Sequence, residues 1–226
     1  MKRFWTEARA EGGDVLLDGR PVRTPKRNRL QLPTPALAGA VAAEWDAVGE
    51  ELDPRALPLT GLANAAIDIV EPDRLAFGEA LARYGESDLL AYRAESPPEL
   101  VARQAAEWDP LLAWVQRRYD VHVDVTAGVM HRPQPAETVA RLRDATVARG
   151  AFELAALSPL VTIGGSLVAG LALVERAFDP GTLWAAVNLD ELWQAEAWGA
   201  DALAAQAREA RRRDWDAAVR FLELIA

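Results

Sequence analysis

Asp14-Val15-Leu16-Leu17-Asp18-Gly19-Arg20-Pro21-Val22-Arg23-Thr24 is the stretch on which the fold class turns. Two short runs flank Asp18-Gly19, and an Asp-Gly pair supplies the positive φ angles of a two-residue turn whose twist suits antiparallel strands. The spacing therefore predicts a β-hairpin. Pro21 has no amide to donate, which places the second strand at a sheet edge. Leu30-Gln31-Leu32, just before Pro33, is the candidate for a third short strand.

Beyond this region the punctuation changes. A short polar residue precedes proline at Thr34-Pro35, Ser96-Pro97, Asp109-Pro110, Ser158-Pro159 and Asp179-Pro180. Each pair reads as an N-cap side chain followed by a first-turn proline, whose missing amide costs nothing there. Ser96-Pro97-Pro98-Glu99 reads in addition as a capping box. These signals predict helices over 35–48, 60–70, 73–84, 97–108, 110–119, 136–149, 159–177, 180–198 and 201–224. Val121-His122-Val123-Asp124-Val125 alternates with period two and predicts one more strand. The expected fold class is α+β. A small strand-containing N-terminal domain over 1–86 precedes a mainly helical C-terminal domain over 87–226, joined near Gly85-Glu86-Ser87-Asp88.

Composition narrows the function from the other side. The 226 residues are 50% hydrophobic and 26% charged, a globular balance that can support one large core or two small ones. The formal charge of -9 disfavours nucleic acid and anionic membrane as partners, because both repel an acidic surface. Cysteine is absent, which removes disulfides, thiol nucleophiles and cysteine-ligated zinc, and fits a reducing cytoplasm. Ala155 to Val174 carries no charge, but Pro159 interrupts it. The stretch after that proline covers about 22 Å at ~1.5 Å per residue, short of a ~30 Å hydrocarbon core. Gly164, Gly165, Ser166 and Gly170 are small enough to let a neighbouring helix approach, so the segment reads as a buried helix.

Catalytic constellations are hard to find. Of the two histidines, His122 could pair with Asp124 on one strand face, but no third ligand has diagnostic spacing. Gly164-Gly165-Ser166 lacks the second glycine of a nucleophile elbow and the lysine of a phosphate loop. Acidic pairs among 34 Asp and Glu residues arise by chance, and most belong to solvated helix faces. Arg211-Arg212-Arg213 reads as the polar side of the last helix. No metal and no cofactor are expected. Eight tryptophans are the unusual feature: most are expected in the core, and one or two at an interface.

The order of several short motifs adds what composition does not. Phe4-Trp5 is followed by Leu17-Asp18-Gly19-Arg20-Pro21-Val22-Arg23-Thr24-Pro25, Ala42-Ala43-Glu44-Trp45, Pro58-Leu59-Thr60 and Ala65-Ala66-Ile67-Asp68. Tyr84, Asp88-Leu89-Leu90-Ala91-Tyr92-Arg93, Gln104 with Trp108-Asp109-Pro110-Leu111, Leu189-Asp190-Glu191-Leu192-Trp193-Gln194 and Trp198-Gly199 complete the series. Together they resemble the ATP synthase mitochondrial complex assembly factor 2 family, the chaperones of the soluble catalytic head. The resemblance implies a non-catalytic protein that binds the unassembled ATP synthase α subunit and shields the surface that later faces the β subunit. Mitochondrial members carry a transit peptide, whereas this chain opens at Phe4-Trp5, so a bacterial, cytoplasmic member is expected; a monomer is expected as well.

The resemblance also implies that an acidic residue in the signature helix matters, and here it falls on Asp190 or Glu191. The partner-binding candidates are Asp190, Glu191, Trp193, Gln194 and Trp198. Leu189, Leu192 and Trp193 share one side at helical spacing, Asp190 and Glu191 point partly away from it, and Gln194 lies four residues on from Asp190. A carboxylate on a rigid helix can accept a charged hydrogen bond from an arginine of a partner. The competing readings are a surface acid without a partner, or an acid bonded internally. A small hydrolase is the alternative at the level of function, with a carboxylate site between the two domains drawn from Asp68, Asp88, Asp109 and Glu191.

Overall fold

The Asp18-Gly19 turn forms as its chemistry dictates. In the computed structural model, which describes residues 2–199 and 201–226, Asp18 has φ +46° and Gly19 φ +80°. They join β2 (Asp14–Leu17) to β3 (Arg20–Pro21), and β1 (Ala8–Glu11) flanks β2 on its other side, giving an antiparallel sheet of order β1-β2-β3. Leu16 lies opposite Pro21 on one side and Arg9 on the other. Pro21 is therefore at the sheet edge, as its missing amide requires. The Asp18 carboxylate also accepts the amides of Thr6 and Glu7 at 3.0 Å each, and those amides hold it below the ordinary carboxylate range. β1 gives no sequence signal, because its Ala8-Arg9-Ala10-Glu11 has no large apolar side chain and is mostly exposed. Leu30-Gln31-Leu32 is not a regular strand: it joins through the isolated bridge of Gln31 to Asp14 and the Leu32 amide donating to the Gly13 carbonyl at 2.8 Å.

α1 (Pro35–Asp46) starts where the cap predicts, with the Thr34 hydroxyl accepting the Leu37 amide at 3.1 Å. It buries Leu37, Ala38, Val41 and Ala42 and packs on β1 and β2. Trp5 donates its indole N–H to the Trp45 carbonyl at 3.2 Å, so a large aromatic is buried with its polar atom satisfied. Glu44 caps α2 (Pro58–Ala65) from the side, accepting the Leu59 and Thr60 amides at 2.7 and 2.9 Å. A π-helical turn over Ala66–Val70 continues α2 towards α3 (Arg74–Ala82). The chain divides into two compact units, and the first comprises Met1–Arg74, Gly150–Ala156 and Asp214–Ala226. The two later segments meet within it, where the rings of Phe152 and Phe221 stack with centroids 6.1 Å apart.

The second unit comprises Leu75–Arg149 and Leu157–Arg213. It is helical apart from a short parallel pairing of β4 (Tyr92–Arg93) with β5 (Thr126–Ala127). α4 (Pro98–Tyr119) is one helix where the sequence predicts two, with Pro110 inside it. That proline removes one ladder hydrogen bond, while Trp108, Leu111, Leu112 and Val115 around it are buried and hold the helix together. The expected capping box at Ser96 does not form. Pro97 takes the cap position without a side-chain hydrogen bond, because the following Pro98 keeps it extended and leaves Ser96 one residue too early.

α5 (Ala136–Val147) and α6 (Ala151–Gly164) follow, and α6 also runs through its proline, Pro159. The helix expected over 159–177 is thus two. Gly165, at φ +64°, ends α6, and Ser166 caps α7 (Leu167–Val174) by accepting the Ala169 amide at 3.0 Å. Gly170 confirms the value of small residues here, since a Cβ on it would come within 2.7 Å of Leu157 and 2.8 Å of Val161 on α6. No helix among the described residues is long and apolar enough to cross a membrane.

The helix expected over 180–198 is also two, α8 (Pro180–Val187) and α9 (Leu189–Trp198). The Asn188 side chain donates to the Trp184 carbonyl at 2.9 Å, the local competition with the helix ladder that short amides favour. α10 (Ala202–Leu224) completes the chain. Val121 and Val123 are buried and His122 and Asp124 exposed, but Val125 is exposed too, and the stretch is not a strand. Its backbone is satisfied by side chains instead. Thr138 donates to the His122 carbonyl at 2.6 Å, and the Gln134 amide group bonds both the amide and the carbonyl of Asp124.

Candidate functional site

α9 presents two sides, and the five candidate residues divide between them. On one side, two consecutive residues of α4 hold it. Gln104 donates its amide N–H to Asp190 Oδ1 at 2.7 Å, and Arg103 bonds Glu196 at 2.7 Å while its guanidinium lies 6.0 Å from the Trp193 ring. Asp190, Trp193 and Glu196 are thereby fastened to α4. On the other side, Glu191 accepts from Arg208 at 3.0 Å and also pairs with Arg211, both on α10. Glu191, Gln194 and Trp198 line a hollow of about 200 Å³ together with Asp201 and Arg208.

The two acids of α9 thus differ in kind. Glu191 has each carboxylate oxygen facing an arginine, so it ties α9 to α10. Asp190 has one oxygen on Gln104, and its second accepts no hydrogen bond among the described residues. A wider hollow of about 510 Å³ lies beside it, lined by Leu89, Trp108, Ile163, Val187 and the two acids among others. At the far end of α9, Trp198 is 79% exposed, and Leu203 at the start of α10 is 77% exposed. Trp5, Trp108, Trp184 and Trp215 are buried by contrast, which separates Trp198 from the core tryptophans.

The carboxylates suggested for a hydrolytic site each have local structural partners. Asp68, in the first unit, accepts from the Thr24 hydroxyl at 2.7 Å, the Lys26 amide at 2.9 Å and the Asn28 amide at 2.8 Å. Burial pushes its carboxyl up, but these donors together bring it below the ordinary value. In the second unit, Asp88 accepts the Leu90 and Val168 amides at 3.1 and 2.9 Å. Burial dominates there and pushes its carboxyl up to about 6, against the opposing pull of its donors, Val168 and Ser166 foremost. Asp109 is exposed and paired with Arg93 at 2.8 Å. His122 and Asp124 form an exposed pair at 3.1 Å, and no group of three metal-ligating side chains occurs among the described residues.

Arg103, Gln104, Arg208 and Arg211 escape a sequence reading of the site. Gln104 and Asp190 are 86 positions apart, and an arginine or glutamine on an amphipathic helix carries no sign of its distant partner.

A three-stranded antiparallel sheet with helices in the first unit and a mainly helical second unit make the fold α+β. The chain belongs to the ATP12 chaperone protein family, whose profile matches residues 2–116. It is 42% identical to Atp12 from Paracoccus denitrificans, with a TM-score of 0.93 over 100% of this chain and 98% of that one. A protein from Agrobacterium tumefaciens is 39% identical with a TM-score of 0.94, covering 100% of this chain and 86% of the other. The mitochondrial protein atp12 of Schizosaccharomyces pombe is 27% identical over 215 residues, 88% of this chain and 74% of the relative.

Proposed function

We propose that this protein chaperones ATP synthase assembly by binding the unassembled α subunit and shielding the surface that later meets the β subunit. It acts without catalysis and without a cofactor, as a cytoplasmic monomer. Family membership and the ordered motifs along the chain support the partner. The observation that carries the site is Trp198, a large aromatic 79% exposed beside a hollow at the end of α9. An aromatic anchor next to a pocket is the arrangement that concentrates binding energy in protein interfaces.

Within this site, Asp190 is the acid that faces the client. Glu191 is already neutralised by two arginines of its own chain, whereas Asp190 keeps an oxygen for an incoming donor. Gln194 and Trp193 contribute to the surrounding surface.

Co-purification tests the reading. The α subunit is expected to be recovered with the tagged protein from cells, without added nucleotide, and replacing Asp190 by lysine is expected to reduce that recovery. Failure to recover the α subunit where it aggregates alone counts against the partner. Undiminished recovery with Asp190→Lys counts against the site.

A further inference from the structure

We infer that Gln104 is a positioning residue that sets the Asp190 carboxylate for the client. This rests on the reading of α9 as the client-facing helix. Gln104 is only 1% exposed, a polar side chain among the buried residues of α4. Burial of an amide group is costly unless both of its ends are bonded. Both are. Its Oε1 accepts the Ala94 amide at 2.8 Å, and its Nε2 donates to Asp190 Oδ1 at 2.7 Å.

The first bond fixes the second. Because the Ala94 amide can only donate, it must meet Oε1, and the amide group is thereby oriented with its N–H groups towards Asp190. The acceptor-only carboxylate of Asp190 is held by one oxygen, and the other is left for a donor from outside. Arg103, the preceding residue, steadies the same side of α9 through Glu196 and Trp193. α4 thus supplies a two-residue clamp, in which Arg103 holds the helix and Gln104 aims one side chain on it. The energetic benefit lies in preorganisation: a carboxylate already restricted to one rotamer loses less freedom when a client donor arrives.

A double-mutant cycle on α-subunit capture, with thermal melts alongside, tests this. Asp190→Ala is expected to weaken capture about tenfold, and Gln104→Leu about fivefold, the loss of one charge-assisted contact and of its alignment respectively. Together they are expected to weaken capture no more than Asp190→Ala alone, because a residue that acts through another has nothing left to act on. Additive losses overturn the positioning role while leaving the site reading intact. No loss with Asp190→Ala overturns the site reading and the inference with it.

Gln104→Leu also orphans the Ala94 amide, so a second variant separates aim from stability. Gln104→Glu keeps the acceptor for Ala94 but sets a second carboxylate against Asp190. Its capture relative to wild type is expected to fall about tenfold near pH 8 and to recover on acidification towards about pH 5.5, where a shared proton replaces the amide hydrogen. A ratio to wild type that does not change with pH overturns the inference.

Discussion

Asp68 in the first unit and Asp88 in the second are both buried carboxylates, yet the two environments push them in opposite directions. Asp68 meets a hydroxyl, a backbone amide and a side-chain amide with the Lys26 charge nearby, and its ionised form is favoured. Asp88 is fully enclosed, has only neutral donors, and is pushed up to about 6. The difference shows that burial alone does not decide the state of an acid. The balance between desolvation and donors does. Neither resembles Asp190, which is half-buried and keeps an oxygen unused. Asp68 and Asp88 are saturated by donors of the fold on both oxygens, and Asp190 is not.

Removing a saturated acid should have the largest effect. Asp68→Ala strands three donors at a buried position and is expected to cost about 3 kcal/mol, read as a shift in the denaturation midpoint. A loss below ~1 kcal/mol would break the contrast, since water would then be replacing the carboxylate without penalty.

The next effect is a pH dependence. The raised value of Asp88 means that the folded state binds its proton more tightly than the unfolded state. Its contribution to stability is therefore full below about 3.8 and is lost as pH rises through about 6. Asp68 has the reverse sign: its contribution is present above the unfolded value of 3.8 and lost as pH falls through the lowered folded value. Asp88→Asn should remove the first slope only. Unfolding free energies of wild type and variant, measured from about pH 4 to 6.5, are expected to converge by about 2–3 kcal/mol as pH rises. Parallel profiles would show that Asp88 does not titrate in this window.

The smallest expected effect on stability belongs to the open end of α9. Trp198→Ala should change the melt by less than about 0.5 kcal/mol, because an exposed side chain loses little on truncation. The same variant should reduce α-subunit capture at least about tenfold if Trp198 is an anchor. A stability loss comparable to that of Asp68→Ala would place Trp198 with the structural tryptophans instead.

Much of this was legible in the chain. The Asp18-Gly19 hairpin, the caps at Thr34 and Asp179, and the ordered motifs of the family are local or sequential features, and local chemistry suffices to specify them. The polar-proline pairs show where that stops. Asp109-Pro110 and Ser158-Pro159 look like Thr34-Pro35, but both lie inside helices. The apolar residues around them are buried, and packing outweighs one missing hydrogen bond. Val121 to Val125 likewise has the alternation of a strand, and whether it pairs depends on Thr138 and Gln134, which reach its backbone first.

The sequence by itself determined the α+β class, the family and the helix that carries the candidate site, because turns, caps and motif order are written in neighbouring residues. Only the tertiary structure separated the surroundings of Asp190 from those of Glu191. On the sequence they are adjacent acids in one turn, and what distinguishes them is a glutamine on α4 and two arginines on α10. A carboxylate's role depends on which donors reach it, and those donors come from distant parts of the chain.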